Sequence, residues 1–278
     1  MCKVHFVTFA TPGFRVRQWL LNRSARWFGG VDVLDVWTKA RLAEDGFLAR
    51  HPELFVNSKG FGWYAWKPYV ILQALQQADE GDLVIYQDTG RREPVLISRS
   101  LREWDAYLTE NNFPCIAGVS IPNWGPNRLW TKRSVFKSMG LQGERYENSP
   151  QVQASWSVWR KGPQAESLVA EWTQLCQRLD LVGGQLEHGP AAEVPGFHEH
   201  RWDQSLLTLL VMREHLPVLD CATRPSPVSN EKSIDSFSRI PRAVLAFKQF
   251  ARLARLYYTL ELAIKRLGII RLRHPAPP

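Results

Sequence analysis

Two polar segments of the sequence carry the residue types from which a catalytic site could be built. The first, Gln87-Asp88-Thr89-Gly90, directly follows the short apolar run Leu83-Val84-Ile85-Tyr86. Such a run is typical of a strand buried in a parallel sheet, and ligands of open α/β sheets bind beyond the C-terminal ends of these strands. A carboxylate there, followed by a glycine that lets backbone come close, suits a phosphate-bound metal ion or a sugar hydroxyl.

The second polar segment, residues 198–205, leads into an apolar stretch that predicts a helix from Ser205 to His215. In an extended strand the alternating His198 and His200 would share one face, which suggests a zinc site. The sequence offers no further spaced ligand, so we favour that interpretation less. Asp203 either caps the helix or serves the reaction. Because the first N–H groups of a helix are free, we expect its carboxylate to stay ionised.

The turn, helix and strand predicted before Gln87–Gly90 determine where this first polar segment lies. An aromatic turn with two glycines, residues 60–66, leads into Lys67-Pro68, and proline is tolerated in the first turn of a helix. Glu80-Gly81-Asp82 then turns the chain into the strand 83–86. The buried face of the predicted helix is formed by Tyr69, Ile71, Leu72, Ala74 and Leu75.

The rest of the body predicts an α/β domain. Strand 3–10, a loop, helix 14–28 and strand 31–37 are the usual start of a nucleotide-binding unit. Thr8 to Thr11 would lie at a strand end, where they either touch the nucleotide or form an ordinary loop. Further expected elements are a helical segment 40–55, a helix within 93–108 capped by Ser98 or Ser100, strand 115–121, a covering loop 122–128, strand 151–160, a purely packing helix 163–179 and a mobile, lid-like loop 180–197.

A short helix is predicted after Trp130-Thr131-Lys132-Arg133. Thr131 can cap its N-terminus, and a helix N-terminus attracts phosphate. A solvated basic patch is the alternative interpretation of Lys132 and Arg133.

Four motifs in a fixed order resemble GT-A-type glycosyltransferases, in particular small bacterial polysaccharide or capsule-type enzymes. They are Gly-x-x-x-Trp-Lys-Pro, Tyr-x-Asp-x-Gly, Trp-Thr-Lys-Arg-Ser-Val-Phe and Arg-Trp-Asp-Gln-Ser-Leu-Leu, and the resemblance runs from Lys3 to Asp220. It implies a GT-A-like, Rossmann-type domain with a mostly parallel central sheet. It also implies transfer of a hexosyl or related group from a nucleotide-diphosphate sugar to a saccharide or lipid-linked acceptor in surface polysaccharide biosynthesis.

The sequence departs from the family at Gly90, where the usual Asp-x-Asp has its second carboxylate. The resemblance implies Mn²⁺ or Mg²⁺ bound at Asp88, and this substitution leaves the metal dependence open. Lys67, Lys132 and Arg133 are the alternative groups for stabilising the charge of a leaving diphosphate.

The resemblance implies Asp88 and Asp203 as catalytic residues, with Asp203 at the acceptor side. Residues expected to contact the nucleotide sugar are Thr8, Phe9, Thr11, Trp66, Lys67, Tyr86, Gln87, Asp88, Gly90, Lys132, Arg133, His200 and Gln204.

Composition bounds the compartment and the number of domains. At 278 residues and 45% hydrophobic content, the chain can bury one substantial core. The four cysteines share no metal-ligand spacing, and the N-terminus lacks the pattern of a signal peptide, which favours a reducing compartment. With no apolar run of the ~18 residues needed to span a bilayer, we expect a cytoplasmic protein that is peripheral on the inner face of the cell membrane.

The net charge of +8 is concentrated at the C-terminus. Residues 239–278 hold nine basic side chains and one acidic side chain, and the rest of the chain is balanced. We therefore divide the chain into a domain 1–222, a linker 223–240 and a basic amphipathic helical tail 241–278, helical to about Arg273. Its basic stripe beside an apolar face favours an anionic membrane surface. Docking of the helix on the domain's own core is the alternative. Nucleic-acid binding is the weaker interpretation of the basic tail, because the body of the protein has no excess of basic residues. We therefore expect no nucleic-acid partner.

Two classes of function follow. The first is the glycosyltransferase, and the second is a non-catalytic, peripheral-membrane binding or scaffold protein on a degenerate transferase fold. Release of nucleotide diphosphate from a sugar donor distinguishes them.

Overall fold

A mixed sheet forms the centre of the molecule. The computed structural model describes residues 2–90, 94–187, 189–220, 228–229 and 241–266. The strands are β1 (Val4–Ala10), β2 (Val33–Thr38), β3 (Leu83–Gln87), β4 (Leu96–Ile97), β5 (Cys115–Ile116), β6 (Val119–Pro126), β7 (Pro150–Gln153), β8 (Trp156–Arg160), β9 (Leu219–Asp220) and β10 (Val228–Ser229). The helices are α1 (Arg15–Phe28), α2 (Lys39–Glu44), α3 (Phe47–Arg50), α4 (Trp66–Gln77), α5 (Glu103–Glu110), α6 (Arg133–Ser138), α7 (Glu144–Glu147), α8 (Pro163–Cys176), α9 (Leu179–Val182), α10 (Trp202–Glu214) and α11 (Pro241–Arg266).

The described strands of the central sheet lie in the order β2-β1-β3-β8-β5. β1 runs parallel to β2 and β3, whereas β8 runs antiparallel to β3 and β5. The predicted α/β fold with a mostly parallel central sheet is therefore confirmed, with β8 as the reversed strand. Asp88 directly follows β3, as the sequence predicts.

Both faces of the sheet are covered. Because side chains alternate along a strand, Val84 and Tyr86 of β3 pack under α4, α8 and α10, while Leu83 and Ile85 pack against α1 and α5. This double burial explains why the strand is apolar at successive positions rather than at every second one.

The predicted strand 151–160 is wrong, because it is two strands in different sheets. β7 belongs to a second sheet, in the order β7-β6-β9, and β8 belongs to the central one. The turn at Ala154-Ser155 continues the apolar–polar alternation, so the pattern contains no break. The predicted covering loop 122–128 is wrong as well, since most of it belongs to β6. The ladder between β6 and β7 is irregular between Ile121 and Pro126, which accommodates Pro122.

Several helix boundaries also differ from the prediction. The segment 40–55 is divided into α2, α3 and a 3-10 turn at Pro52–Phe55, and α5 begins at Glu103, beyond both proposed serine caps. α8 ends at Cys176, and the predicted lid-like loop contains α9 and a 3-10 turn at Pro190–Ala192. α10 begins at Trp202, three residues before the predicted start.

α11 packs on α1. Phe250 and Ala254 are buried in a small cluster with Leu20 and Leu96, and the ring of Trp27 meets that of Phe250 edge-on, 5.3 Å between centroids. Among the described helices, none is long and apolar enough to cross a membrane. Most of the predicted linker 223–240, and residues 267–278 of the predicted tail, lie outside the described residues.

Candidate active site

A buried lysine joins the two polar segments that the sequence singles out. Lys67 lies in the first turn of α4, and its Nζ is 3.1 Å from Oδ2 of Asp203 and 3.6 Å from Oδ2 of Asp88. The side chains of Lys67 and Asp203 are 5% and 4% exposed, whereas that of Asp88 is 34% exposed. The cluster therefore has one carboxylate that is almost fully buried and one that is about a third exposed.

Tyr86 fixes the accessible carboxylate. Its hydroxyl donates a hydrogen bond of 2.5 Å to Oδ1 of Asp88, and its ring lies 5.6 Å from Nζ of Lys67. The ring of Tyr64 approaches the same Nζ at 5.3 Å. Two aromatic faces thus assist the two carboxylates in holding the ammonium group.

Asp203 is held by burial and by Lys67. Burial raises its pKa from the ordinary 3.8 to about 6, Lys67 opposes this shift, and Asp88 adds to it. The expectation that the helix start favours the ionised form is wrong in direction, because desolvation outweighs the favourable neighbours and raises the pKa. Arg201 occupies the N-cap position of α10, and the side chain of Asp203 is paired with Lys67. The helix-cap alternative is therefore wrong too.

Lys67 remains charged in this environment. Burial alone would lower its pKa, but the carboxylates of Asp203 and Asp88 raise it above the ordinary value. Burial, and then Asp88, raise the pKa of Tyr86, so its phenol stays a hydrogen-bond donor.

Four aromatic residues beside the cluster have left-handed backbone. Phe61, Trp63, Tyr64 and Trp202 have φ between 52° and 60°, a conformation that costs roughly 1–3 kcal/mol for a bulky residue. Nearby hydrogen bonds hold it in place. Ser58 accepts from the N–H of Gly62 at 2.8 Å, and the indole of Trp66 donates to the carbonyl of Phe61 at 2.9 Å.

Of the residues at the end of β1 that were predicted to contact the nucleotide sugar, two are buried and one is partly exposed. Thr8 is buried, donating to Asn22 and accepting from Gln18. Phe9 stacks on Trp66 with 3.7 Å between ring centroids, so both rings belong to the core under the cluster. Thr11 follows β1 and is partly exposed, which leaves it accessible to a ligand.

Gln87 and Gly90 shape the loop that carries Asp88. The Gln87 amide donates to the carbonyls of Asp88 and Ser155 at 3.0 and 3.3 Å. The carbonyl of Gly90 accepts a bond of 3.1 Å from the buried Arg17 guanidinium. Sequence reasoning missed Arg17, which places a cationic group beside this strand end.

Arg17 had a signal in the sequence. It shares the buried face of α1 with Leu20, Leu21 and Ser24, at helical spacings of three, four and seven residues. A charged residue on an otherwise buried helical face is rare unless it has partners or a function.

Lys132 and Arg133 do not join the cluster. Nζ of Lys132 donates to the carbonyls of Asp180, Gly183 and Gln185 at 2.9, 2.8 and 3.3 Å, and burial lowers its pKa. Its role is to hold the segment after α9.

At the start of α6, where the sequence predicted a phosphate site, the backbone is hydrogen-bonded to a side chain of this protein. The backbone N–H of Arg133 donates to a carboxylate oxygen of Glu193 at 2.9 Å. The Thr131 hydroxyl donates to Asn127 at 2.7 Å instead of capping the helix. A carboxylate of this chain therefore takes the place predicted for phosphate.

His200 and Gln204 also have internal partners. Nε2 of His200 is 2.8 Å from the carbonyl of Leu181, and Nδ1 accepts from the Lys132 N–H at 3.4 Å. Burial, with Lys132 adding to it, lowers the pKa of His200 to about 3, so it is neutral. Gln204 donates to Gln151 at 2.7 Å within a buried amide network.

Asp88 is the described side chain that fits a divalent cation. Mg²⁺ is commonly held by one or two carboxylates together with substrate phosphates, and Asp88 offers a partly exposed carboxylate at the strand end. Within the described ranges, no three His, Cys, Asp or Glu side chains form a metal-binding group. His198 and His200 belong to no such group either, so the described residues give no support to the zinc interpretation.

A cleft of about 180 Å³ lies beside the cluster. Its lining includes the aromatic side chains of Trp63, Phe197 and Trp202, and the charged Lys59 and Glu199. The ring of Trp202 lies 5.5 Å from that of Tyr64, which lies 5.3 Å from Nζ of Lys67, so one aromatic ring separates the cleft from the cluster.

No family model and no curated protein sequence matches this chain. Among solved structures, apo mouse xyloside xylosyltransferase 1 is 13% identical, with a TM-score of 0.42 over 79% of this chain and 86% of that one. The apo WbbM bifunctional glycosyltransferase is 13% identical, with a TM-score of 0.43 over 78% of this chain and 39% of that one.

Both similar structures are glycosyltransferases, the class that the sequence motifs resemble. The chain spans well under half of the WbbM chain. At these TM-scores the similarities carry no weight for the activity, which has to be argued from the site.

Proposed function

We propose that this protein is a glycosyltransferase that moves a sugar from a nucleotide-diphosphate donor to a saccharide or lipid-linked acceptor in surface polysaccharide synthesis. The observation that carries the proposal is the Lys67 ammonium held between Asp88 and Asp203, beyond the C-terminal end of β3. That edge is where α/β sheets bind their ligands.

Asp88 serves the donor in this proposal. Its carboxylate is fixed by Tyr86 on one oxygen and remains partly exposed, so it can accept a hydrogen bond from a sugar hydroxyl or hold a metal ion shared with the diphosphate. A divalent cation bound there would neutralise charge on the leaving group. Arg17, hydrogen-bonded to the carbonyl of Gly90 in the same loop, adds a cationic side chain there.

Asp203 serves the acceptor. The acceptor oxygen attacks the anomeric carbon, the bond from that carbon to the diphosphate oxygen breaks, and the electron pair leaves with the diphosphate. In direct displacement, the proton of the attacking hydroxyl passes to the Asp203 carboxylate. A carboxylate with a pKa of about 6 is mostly ionised at neutral pH yet more basic than an ordinary Asp. Lys67 orients it and balances its charge.

The test compares two buried lysines at opposite ends of β3. Lys67→Met removes the centre of the cluster. Lys161→Met is the control, because Lys161 is also mostly buried and ion-paired, with Glu166 at 2.6 Å, and follows Arg160, the partner of Leu83 at the other strand end. Nucleotide release is measured over UDP-, GDP-, CMP- and dTDP-sugars, with and without Mn²⁺.

We expect the wild type to release nucleotide from at least one donor. Lys67→Met should reduce that rate at least ~100-fold, the size of a lost acid–base contribution, and Lys161→Met should leave it nearly unchanged. If the wild type releases nucleotide from no donor, the scaffold alternative holds. Equal activity of Lys67→Met and the wild type would remove the cluster from the mechanism.

We also propose that the protein attaches to the inner face of the cell membrane from the cytoplasm. On α11, Leu253, Leu256 and Leu260 are at least half exposed, and Lys248, Arg252 and Arg255 are exposed on the same helix. The helix is docked on α1 through its other face. This arrangement supports a helix that is packed on the domain and still presents an apolar and basic surface to lipid.

A further inference from the structure

We propose that the cleft beside Asp203 is the subsite for one saccharide ring of the acceptor. This inference rests on the proposed function and goes beyond it by naming the place and the chemistry of acceptor binding. The walls of the cleft, its rim, its size and its position beside the ion cluster support the assignment.

The walls are suited to a sugar ring. The indole of Trp202 and the ring of Phe197 are partly exposed in the cleft, and the buried Trp63, 4% exposed, packs behind Trp202 with 6.2 Å between ring centroids. One face of a pyranose ring presents C–H groups, and these pack on aromatic faces as other apolar groups do. The hydroxyl groups at the edge of the ring remain free for polar partners.

The rim offers such partners. Nζ of Lys59 and Oε2 of Glu199 are paired at 3.2 Å, and the other oxygen of Glu199 accepts from Arg201 at 2.8 Å. The ammonium donates and the carboxylate accepts, so the pair can bind the hydroxyls of one ring from both sides. An exposed pair of this kind adds little to stability, which leaves it available for a ligand.

Both tryptophans of the cleft are next in sequence to residues at the ion cluster. Trp202 is the residue before Asp203, and Trp63 precedes Tyr64, whose ring lies 5.3 Å from Nζ of Lys67. The ring of Trp202 lies 5.5 Å from that of Tyr64, so a sugar ring in the cleft lies one aromatic residue away from the Lys67–Asp203 ion pair. The volume of about 180 Å³ is below the ~300–1,000 Å³ of ordinary ligand pockets, which suits a single ring.

The strained backbone points to the same place. Trp63 and Trp202 both have left-handed backbone, with φ of 55° and 52°. Large side chains at such positions cost stability, and strain of this kind concentrates at ligand clamps. Here the strained positions aim two indoles into one cleft.

A single methyl group at Gly184 can disturb the subsite. A Cβ on Gly184 would lie 2.8 Å from Cζ3 of Trp63 and 3.1 Å from Nε1 of Trp202, so Gly184→Ala must displace a wall. Gly162→Ala is the control, because its Cβ would meet only the flexible end of Glu80, at 3.1 Å, and φ at Gly162 is 169°, an extended backbone. Both proteins are first checked for an unchanged melting temperature and circular dichroism.

The probe is a panel of methyl glycosides of common hexoses, pentoses and N-acetylhexosamines, observed by saturation-transfer-difference NMR without donor. We expect at least one glycoside to receive saturation from aromatic protons of the wild type and of Gly162→Ala. Gly184→Ala should weaken its binding at least ~10-fold, about 1.4 kcal/mol. Trp202→Leu, which removes a wall without adding volume, should weaken it as well.

The outcomes separate this inference from the proposed function. Glycoside binding that Gly184→Ala and Trp202→Leu leave unchanged overturns the subsite, as does a panel in which no glycoside binds. A wild type that binds a glycoside in this way but releases no nucleotide from any donor keeps the subsite and overturns the transferase. Where both activities are present, Gly184→Ala should raise KM for the acceptor and leave donor hydrolysis without acceptor unchanged.

Discussion

At Asp203, burial and ion pairing act on the pKa in opposite directions. Burial raises it and Lys67 lowers it, with a net value of about 6. Because the folded-state pKa exceeds the ordinary 3.8, protonated Asp203 contributes stability that is fully present below about pH 3.8 and is lost as the pH rises through about 6. The ionised form that the reaction needs is therefore the less stable form of the protein.

The raised pKa of Asp203 predicts how the rate of transfer falls at acid pH. Transfer should fall about tenfold per pH unit below pH 6, because protonated Asp203 cannot accept the acceptor proton. His200 is neutral throughout this range, with its pKa near 3, and so does not produce the fall. The measurement is kcat/KM for the acceptor between pH 4.5 and 8.

Asp203→Asn should abolish this dependence and lower transfer at pH 7.5 at least ~100-fold. Asp82→Asn is the control, because Asp82 is another buried carboxylate, paired with His5 at 3.2 Å at the opposite end of β3. A profile that keeps its acid limb in Asp203→Asn would assign the limb to another group.

The sequence placed the two carboxylates of the cluster better than the residues predicted to bind phosphate. Asp88 follows an apolar strand and Asp203 starts an apolar helix, so local pattern alone placed both, and the structure brings them together through Lys67. Lys132 and Arg133 looked equally suitable, because a basic residue that binds phosphate and one that binds backbone carbonyls have the same local pattern. Only the fold reveals that the partners of Lys132 are carbonyls fifty residues away.

At the scale of elements, one lysine positions a wall of the cleft. The carbonyls that Lys132 binds include those of Gly183 and Gln185, on either side of Gly184. The segment predicted as a mobile lid is thus tied to the start of α6. Sequence patterns could not show this, since the segment is rich in glycine and polar residues, which are typical of free loops.

Lys132→Met should lower the free energy of unfolding by ~3 kcal/mol, because three buried carbonyls lose a charged donor. It should also speed proteolysis within residues 180–187. Urea denaturation measures the first effect and limited proteolysis the second. Lys137→Met, on the exposed side of α6, is the control and should change neither. Wild-type stability in Lys132→Met would contradict the role of these bonds.

At the scale of the whole molecule, α1 and α11 form one exposed apolar surface. Trp19 and Trp27 of α1 are 46% and 57% exposed, and Trp19 lies 6.1 Å from Tyr257 of α11. The sequence predicted the tail helix and its amphipathic character. It could not predict that α1 shares the surface, because that depends on the contact of Phe250 with Leu20 and Leu96.

Binding to vesicles should need anionic lipid and should weaken with salt. Near the surface each Lys or Arg contributes ~1 kcal/mol, so Arg252→Gln should weaken binding about fivefold. Leu256→Ser should weaken it at all salt concentrations, since it removes an exposed apolar side chain. Co-sedimentation with vesicles with and without phosphatidylserine provides the measurement.

Removal of residues 239–278 should abolish vesicle binding and leave a folded body that still binds donor. A truncated protein that unfolds would show that α11 belongs to the core. Equal binding to neutral vesicles would contradict the electrostatic contribution.

The buried thiol of Cys176 can report how often the helices around Asp203 separate. Its side chain is fully buried at the end of α8, and burial, with Asp203 adding to it, raises its pKa. The thiol is therefore both protonated and shielded, and an alkylating reagent can reach it only when α8 and α10 separate locally. In a protein that keeps Cys176 as its single cysteine, the rate of alkylation would measure how often the helices around Asp203 separate. A bound acceptor or donor would slow that rate, and more so the tighter it binds.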